Sequence, residues 1–453
     1  MSLSASRNLC DELTAAVHSK NVDRLSELVR QGADLNITLS EGLLPLVLAA
    51  NNCDFETCKV LLRLGAKLDS SGGVVSHETP LSISVRAGLV DAVATLIELG
   101  SDVNVTVDLC TERLSADSFQ LYPGSTVLQS AIFRRNLPII RRLVDAGADV
   151  NRADCSGNTA LHLACLDGDD RAVDTVAMLL SLNRGSRAAC RRTDIDASNC
   201  HGQTPLMLAA GRSSELVRLL LKERPAPVIE AKDRRHKTAL HYAAEAGLED
   251  ATLMLLRAGC HVDGSKTTNT QSVTPLHVAA HSGKVHICRV LLDFGANPLV
   301  HTFDGNTILH QAASSMCGWN GSTDILEQFI SVGLQIDGKN SAGYTPLAVA
   351  ASCGNLTVAR FLIDVGARLN EPGNNGMTPL SLSINGAHCR ISQMLIVEGA
   401  NPNSGSVRLD LHSPYLITLL CNNIFEVVLG HHFCNVSSKL DSVHLQLNKT
   451  EMS

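Results

Sequence analysis

The clearest pattern of apolar and polar positions lies in the stretch TALHYAAEAGLEDATLMLLRAG, which begins at Thr238. Each half carries apolar residues at the i, i+3, i+4 spacing of a helix face: Leu240, Ala243 and Ala244, then Ala251, Met254 and Leu255. The Thr238 hydroxyl can accept hydrogen bonds from the free amides of a first helical turn. Gly247 and Gly259 can each end a helix in the left-handed conformation. The stretch therefore predicts two short helices joined by a turn.

The same phrase returns along the chain at a nearly constant period. Its opening TxLxxA occurs at Thr126, Thr159, Thr204, Thr238, Thr274, Thr307 and Thr345, and a variant, TPLSLS, begins at Thr378. Most copies are 33 or 34 residues apart, and most close with a GADVN-like segment. Two such short helices cannot hide their apolar faces alone, so a repeat of this length predicts a stacked solenoid.

The opening T-P-L-H-x-A and the close G-A-D-V-N resemble the repeat of the ankyrin family. The resemblance implies an all-α solenoid of about eleven to twelve helix-turn-helix repeats with β-hairpin-like fingers between them. We expect an N-terminal segment at residues 1–10, a repeat array at 11–403 and a linker at 404–412. Residues 413–453 are expected to form a degenerate tail.

Four segments break the period and are candidates for the particular function, because stacking constrains the rest of a solenoid. Residues 105–125 and 183–203 lengthen two repeats and are predicted to be long fingers. KERPAPVIEAKDRRHK, which ends at Lys237, and SSMCGWNGSTD, which contains the single tryptophan, are the other two.

Two of these departures are rich in basic residues and are expected on consecutive fingers: Arg184, Arg187, Arg191 and Arg192 on one, Lys232, Arg234, Arg235 and Lys237 on the other. Arginine pairs bidentately with carboxylate or phosphate, so a merged patch would receive an acidic or phosphorylated partner segment. The alternative is a solvated surface whose charges are neutralised by nearby acidic residues: Asp194, Glu223, Glu230 and Asp233.

Trp319 is a further candidate for partner binding, since exposed aromatic side chains often anchor interfaces. The alternative is a loop tryptophan that packs against its own repeat.

Recurring histidines follow the repeat and are expected to serve structure: His162, His241, His277 and His310. The sequence contains no dinucleotide, phosphate-loop, zinc-protease or serine-hydrolase motif of the usual spacing. We therefore expect no catalysis, no cofactor and no metal.

Charge and cysteine content limit the partners and the cellular compartment that we expect. The 453 residues carry a formal net charge of −7, which gives no global attraction to nucleic acid or membrane. Fifteen scattered cysteines without a C-x-x-C pair do not indicate a disulfide framework. No apolar run approaches the roughly 18 residues of a membrane span. We expect a cytoplasmic or nuclear protein without membrane insertion.

The tail SPYLITLLCNNIFEVVLGHHFC, which begins at residue 413, supports two hypotheses. It can be a shortened capping repeat. Alternatively, four residues on one predicted helix face resemble the elongin-binding half of a suppressor-of-cytokine-signalling box: Ile417, Leu420, Cys421 and Phe425. That resemblance implies an adaptor that presents a substrate to an elongin-cullin ubiquitin ligase. No proline follows Pro414, however, whereas the second half of that box carries one.

The sequence thus predicts a non-catalytic scaffold or adaptor that binds other proteins through its fingers and concave face. A monomer is expected, and nucleic acid is not expected as a partner.

Overall fold

The structure, a computed structural model, describes residues 3–37, 39, 43–69, 79–107, 124–185, 192–223, 225–264, 273–315, 323–401 and 404. The chain divides into two compact units, unit 1 at Met1–Cys260 and unit 2 at His261–Ser453. Across the described residues the chain forms helices in pairs and one short strand pair.

Unit 1 holds seven pairs of helices among its described residues. They are α1 (Leu3–His18) and α2 (Val22–Arg30), α3 (Pro45–Asn51) and α4 (Phe55–Arg63), α5 (Pro80–Ala87) and α6 (Val90–Glu98), α7 (Val127–Phe133) and α8 (Leu137–Asp145), α9 (Ala160–Asp167) and α10 (Asp170–Gly185), α11 (Pro205–Ala210) and α12 (Ser214–Leu221), and α13 (Ala239–Ala246) and α14 (Glu249–Arg257).

Unit 2 holds four pairs within its described part. They are α15 (Pro275–His281) and α16 (Val285–Asp293), α17 (Ile308–Ala313) and α18 (Asp324–Ser331), α19 (Pro346–Cys353) and α20 (Leu356–Asp364), and α21 (Pro379–Asn385) and α22 (Cys389–Val397). Together with unit 1 the described residues contain eleven helix pairs, which agrees with the eleven repeats counted in the sequence.

The helices begin where the repeated threonine predicts. At α7, Thr126 Oγ1 accepts from the Gln129 amide at 3.2 Å, and Gln129 Oε1 accepts from the Thr126 amide at 2.7 Å. This reciprocal cap satisfies two amides that have no partner inside the helix. The cap recurs at several first helices, so each helix start is set locally by the side chains of the repeat.

The core lies between stacked pairs, as the apolar stripes predict. In α13, Leu240, Ala243 and Ala244 are at most 1% exposed. In α14 the buried set is Ala251, Thr252, Leu255 and Leu256, whereas Met254, which the spacing placed on the stripe, is half-buried. A second helix packs on its own first helix and on a neighbouring second helix, so its buried face is wider than a single stripe.

A five-residue turn forms the tip of each described finger from residue 154 onwards. In the turn Asp154–Asn158 the Asp154 amide donates to the Asn158 carbonyl at 3.0 Å. The same closure occurs in five further turns: 199–203, 233–237, 302–306, 340–344 and 373–377. The 105–125 segment starts differently, because β1 (Thr106–Val107) pairs antiparallel with β2 (Ser125–Thr126).

An Asn or Asp at the end of most repeats ties that repeat to the next. In unit 1, Asn104 Oδ1 accepts from the Asp149 amide and Asn151 Oδ1 accepts from the Asp194 amide, both at 2.8 Å. In unit 2, Asn370 Oδ1 accepts from the Asn401 amide at 2.8 Å. The bonds align the repeats with one another whatever the length of chain between them.

Candidate functional site

The strongest candidate site is the turn at residues 233–237, which we name the basic finger together with Lys232 before it. At its centre lies Asp233, which is 6% exposed. Asp233 Oδ1 accepts from the backbone amides of Arg235 and Lys237, each at 2.8 Å. The carboxylate thus organises the turn from inside and leaves the basic side chains around it.

Tyr242 of α13 holds the basic finger against the helix behind it. Its hydroxyl donates to Asp233 Oδ2 at 2.7 Å and accepts from Gln203 Nε2 at 2.8 Å. Burial is the main cause that raises the pKa of Tyr242 to about 12, so the hydroxyl keeps its proton at neutral pH. One side chain therefore joins a helix to two successive fingers.

The neighbouring finger tip, residues 199–203, packs directly against the basic finger. The Arg234 amide donates to the His201 carbonyl at 3.0 Å. A Cβ on Gly202 would lie 3.1 Å from the Arg234 nitrogen, which shows how closely the two turns approach. Cys200 and His201 are exposed on this tip, so the surface next to Arg234 includes an imidazole and a thiol.

Two guanidinium groups dominate the tip of the basic finger. The side chains of Arg234 and Arg235 are exposed, and no carboxylate in the described part of the chain forms an ion pair with either. Lys237 differs, since its Nζ lies 2.7 Å from Glu245 Oε2 of α13. The carboxylate of Asp233 is engaged by amides and by Tyr242, so its charge lies within the turn and not in an ion pair with Arg234 or Arg235.

His236 completes the tip in an unusual backbone conformation. Its φ is +60°, where the preceding finger carries Gly202 at +76° and the finger at residues 302–306 carries Gly305 at +68°. The left-handed region is unfavourable for a residue with a Cβ. The imidazole is exposed, so this strain serves no buried contact.

The first of the two predicted basic fingers begins inside a helix, and the merging of the two basic clusters stays a prediction. Arg184 belongs to α10, which runs for 16 residues, whereas α8 and α14 run for nine. The Asp194 amide donates to Asn151 as the Asp149 amide donates to Asn104. Asp194 therefore matches Asp149 in the repeat, and Arg192 matches Gly147. Residues 183–185 are therefore helical, and the described finger turn is at residues 199–203.

Part of the inserted sequence extends helix α10. Counted from the opening threonine of the repeat, the expected end of α10 carries no glycine comparable to Gly147. The helix therefore continues to Gly185. Thr193 Oγ1 then donates to the Leu179 carbonyl at 2.7 Å, which brings the chain back into register before the finger begins.

The remaining predicted site residues lie outside the described residues. These are Arg187, Arg191, Trp319, Ile417, Leu420, Cys421 and Phe425. The side chain of Arg184 is likewise outside the description, although its backbone is in α10. The basic residues that the structure does place together are those of the basic finger.

The recurring histidines act as helix caps, which confirms their predicted structural use. His310 Nδ1 accepts from the Thr307 amide at 3.2 Å, and its Nε2–H donates to the Tyr344 carbonyl at 2.9 Å. Burial lowers the pKa of His310 to about 4, and burial likewise lowers the pKa of His162. Both imidazoles are neutral caps near neutral pH.

One exposed aromatic residue was not among the predicted site residues. Phe303 is 70% exposed at the tip of the finger at residues 302–306 in unit 2. The equivalent tip positions carry small or polar residues, such as Cys200, Ser341 and Asn374. An apolar residue two positions before the finger glycine was therefore the available signal.

Two negative findings apply to the described ranges listed above. No helix there is long and apolar enough to cross a bilayer. No group of three or more histidine, cysteine, aspartate or glutamate side chains there is arranged to hold a metal ion.

Comparison with known proteins agrees with the helix pairs and their fingers. The family model "Ankyrin repeats (3 copies)" matches residues 13–107, 108–189, 186–266, 255–319 and 314–406. The chain belongs to the ankyrin-repeat family. Its all-α repeat fold is thus established, and the ankyrin repeats indicate that its partners are proteins.

Several relatives carry similar repeats. The chain is 30% identical over 216 residues to the nuclear factor NF-kappa-B p105 subunit of Gallus gallus, covering 47% of this chain and 20% of that protein. It is 27% identical over 236 residues to the B-cell lymphoma 3 protein homolog of Mus musculus, covering 51% and 48% respectively. It is 30% identical over 220 residues to the human NF-kappa-B inhibitor zeta, covering 41% and 30%. In each case the match spans less than half of the relative.

Proposed function

We propose that this ankyrin-repeat protein is a non-catalytic scaffold that binds partner proteins through its fingers and concave face, with the basic finger as a principal contact. The observation that carries the proposal is the pair of exposed guanidiniums of Arg234 and Arg235 on a turn held rigidly by Asp233 and Tyr242. A preorganised turn loses little conformational freedom on binding, which favours affinity.

The chemistry of the basic finger selects an acidic or phosphorylated segment of the partner. Arginine provides several N–H donors in a fixed plane that matches carboxylate and phosphate oxygens. The protein as a whole is acidic, with a formal net charge of −7, so the finger is a local basic site on an acidic chain. The net negative charge of the chain does not favour nucleic acid as the partner.

The setting of this function is the cytoplasm or the nucleus, with the protein acting as a monomer and without cofactor. The resemblance to an NF-kappa-B subunit and an NF-kappa-B inhibitor supports a regulatory binding role. The ligase-adaptor hypothesis rests on residues 413–453, which are outside the described residues, and it stays a prediction.

The test compares proteins that co-purify with the full chain and with the double variant Arg234→Glu/Arg235→Glu. The matched control is Arg141→Glu/Arg142→Glu, which reverses two consecutive exposed arginines on α8. We expect specific partners to be lost in the finger variant and retained in the control. Each lost partner is then purified and its Kd for both variants is measured directly.

An unchanged set of partners in the finger variant would show that the basic finger is not the contact. Because Arg234 and Arg235 are exposed, both variants are expected to fold, and their circular dichroism spectra should match that of the natural chain.

A further inference from the structure

We propose that the basic finger recognises a phosphomonoester on a peptide segment of its partner in preference to a carboxylate. This inference rests on the proposed function and names the ligand that the finger selects. It follows from how the donors and charges of residues 232–237 are distributed.

The backbone donors of the turn are already used. The amides of Arg235 and Lys237 donate to Asp233 Oδ1, the His236 amide donates to the Asp233 carbonyl at 2.9 Å, and the Arg234 amide donates to His201. Turns of this kind often bind anions through their amides, but here the Asp233 carboxylate fills that place. Recognition of an anion therefore falls to the side chains.

The side chains suit a group with three oxygens. Arg234 and Arg235 are consecutive residues, and each guanidinium has five N–H donors. A phosphomonoester presents three strong acceptor oxygens, so each arginine can bind it through two hydrogen bonds. A carboxylate has two oxygens and satisfies one guanidinium fork.

The charge of the cluster also suits a dianion. The guanidiniums of Arg234 and Arg235 carry a charge of +2 at the tip, whereas Lys237 is paired with Glu245. A phosphomonoester carries a charge of about −1.5 to −2 at neutral pH, whereas a side-chain carboxylate carries −1. The dianion therefore compensates the cluster more completely.

His236 and His201 add donors at the same tip. A glycine at position 236 would relieve the positive φ, as Gly202 does in the preceding finger, yet the chain carries an exposed imidazole there. His201 lies on the adjoining turn, whose carbonyl accepts from the Arg234 amide. Each imidazole carries at least one N–H, so both extend the donor set around Arg234 and Arg235.

The experiment measures binding of the full chain to three fluorescein-labelled peptide pools. The pools share degenerate flanks around a central phosphoserine, glutamate or serine, and the readout is fluorescence anisotropy. We expect the phosphoserine pool to bind at least tenfold more tightly than the glutamate pool. The serine pool should bind weakest.

Variants separate charge from geometry. Arg234→Lys/Arg235→Lys keeps the charge but removes the planar forks, so most of the preference for phosphoserine should disappear. Arg234→Glu/Arg235→Glu should abolish binding of the phosphoserine pool, and Arg141→Glu/Arg142→Glu should leave it unchanged. His236→Gly should weaken phosphoserine binding severalfold.

The outcomes distinguish this inference from the proposed function. Equal affinity for the glutamate and phosphoserine pools, lost in the Arg234→Glu/Arg235→Glu variant, overturns phosphate selection and leaves an acidic partner in place. Binding that does not depend on Arg234 and Arg235 overturns both. A lysine variant that keeps the full preference shows that charge alone selects the ligand, which also overturns the inference.

Discussion

The side-chain amide of Asn151 bonds to two backbone groups of the following repeat. Asn151 Oδ1 accepts from the Asp194 amide at 2.8 Å, and Asn151 Nδ2 donates to the Arg192 carbonyl at 2.6 Å. The residues it joins are separated by an insertion that lengthens α10. Asn151 thus sets the point at which the longer repeat returns to register.

Replacing Asn151 by alanine should destabilise unit 1 by about 1–2 kcal/mol, because two hydrogen bonds are lost at a half-buried position. The loss of stability in Asn151→Asp should be smaller than in the alanine variant, since aspartate keeps the acceptor for the Asp194 amide and loses only the donor to Arg192. The measurement is the urea midpoint followed by far-UV circular dichroism. Equal midpoints for the natural chain and both variants would contradict this role.

Tyr242→Phe should lower the free energy of unfolding by about 1–2 kcal/mol. The change removes the donor to Asp233 Oδ2 and the acceptor for Gln203 Nε2. The control is Tyr344→Phe in unit 2, whose hydroxyl accepts one exposed hydrogen bond from Asn375. That control should cost well under 1 kcal/mol, and a cost equal to that of Tyr242→Phe would argue against a special support for the basic finger.

Stability should depend on pH through the buried cap His310. Its pKa is about 4 in the folded chain against an ordinary value of 6.5, and burial is the main cause. Between these values the unfolded chain binds the proton more readily, so stability is full above about pH 7 and falls as the pH drops towards 4. The loss is on the order of 3 kcal/mol.

His310→Gln isolates this contribution. Gln129 already fills the equivalent position of α7, where its Oε1 accepts from Thr126 and its Nε2 donates to the Asn158 carbonyl at 2.7 Å. The glutamine variant should therefore fold and lose part of the acid sensitivity. Urea midpoints between pH 4.5 and 7.5 test this, and parallel curves for both proteins would exclude His310 as the source.

The fingers should respond oppositely to two backbone substitutions. His236→Gly should stabilise unit 1 by about 0.5–1 kcal/mol, because it relieves a left-handed conformation at φ +60°. Gly343→Ala should destabilise unit 2 by about 2–4 kcal/mol, since φ is +77° and the new Cβ would lie 2.7 Å from the Asn374 nitrogen. Thermal unfolding checks both, and a destabilised His236→Gly would show that the imidazole makes a stabilising contact.

Exposed cysteines should react faster with an alkylating reagent than buried ones. Burial raises the pKa of Cys58 and Cys288 to about 12 and also raises that of Cys165, so few thiolates form at pH 8. Cys155 and Cys200 are exposed on finger tips. Brief treatment of the folded chain with iodoacetamide, read by mass spectrometry, should modify Cys53, Cys155 and Cys200 before these three buried thiols. Modification of the three buried thiols at an equal rate would contradict the packing described above.

Much of this fold follows from the sequence because the repeat is a local code. The threonine caps, the apolar stripe of α13 and the finger glycines act within a few residues of each other. Their recurrence every 33 or 34 residues was enough to predict stacked helix pairs and their number.

The tertiary structure alone decided how Arg234 and Arg235 are presented. Sequence spacing cannot tell an insertion that lengthens a finger from one that lengthens a helix, and residues 183–185 proved to be helical. Nor could it show that Asp233 is occupied by amides and by the Tyr242 hydroxyl. These contacts join residues of different elements, so they exist only after the elements have packed. Sequence therefore determined the repeat, and packing determined that Arg234 and Arg235 stand exposed at the tip of the basic finger.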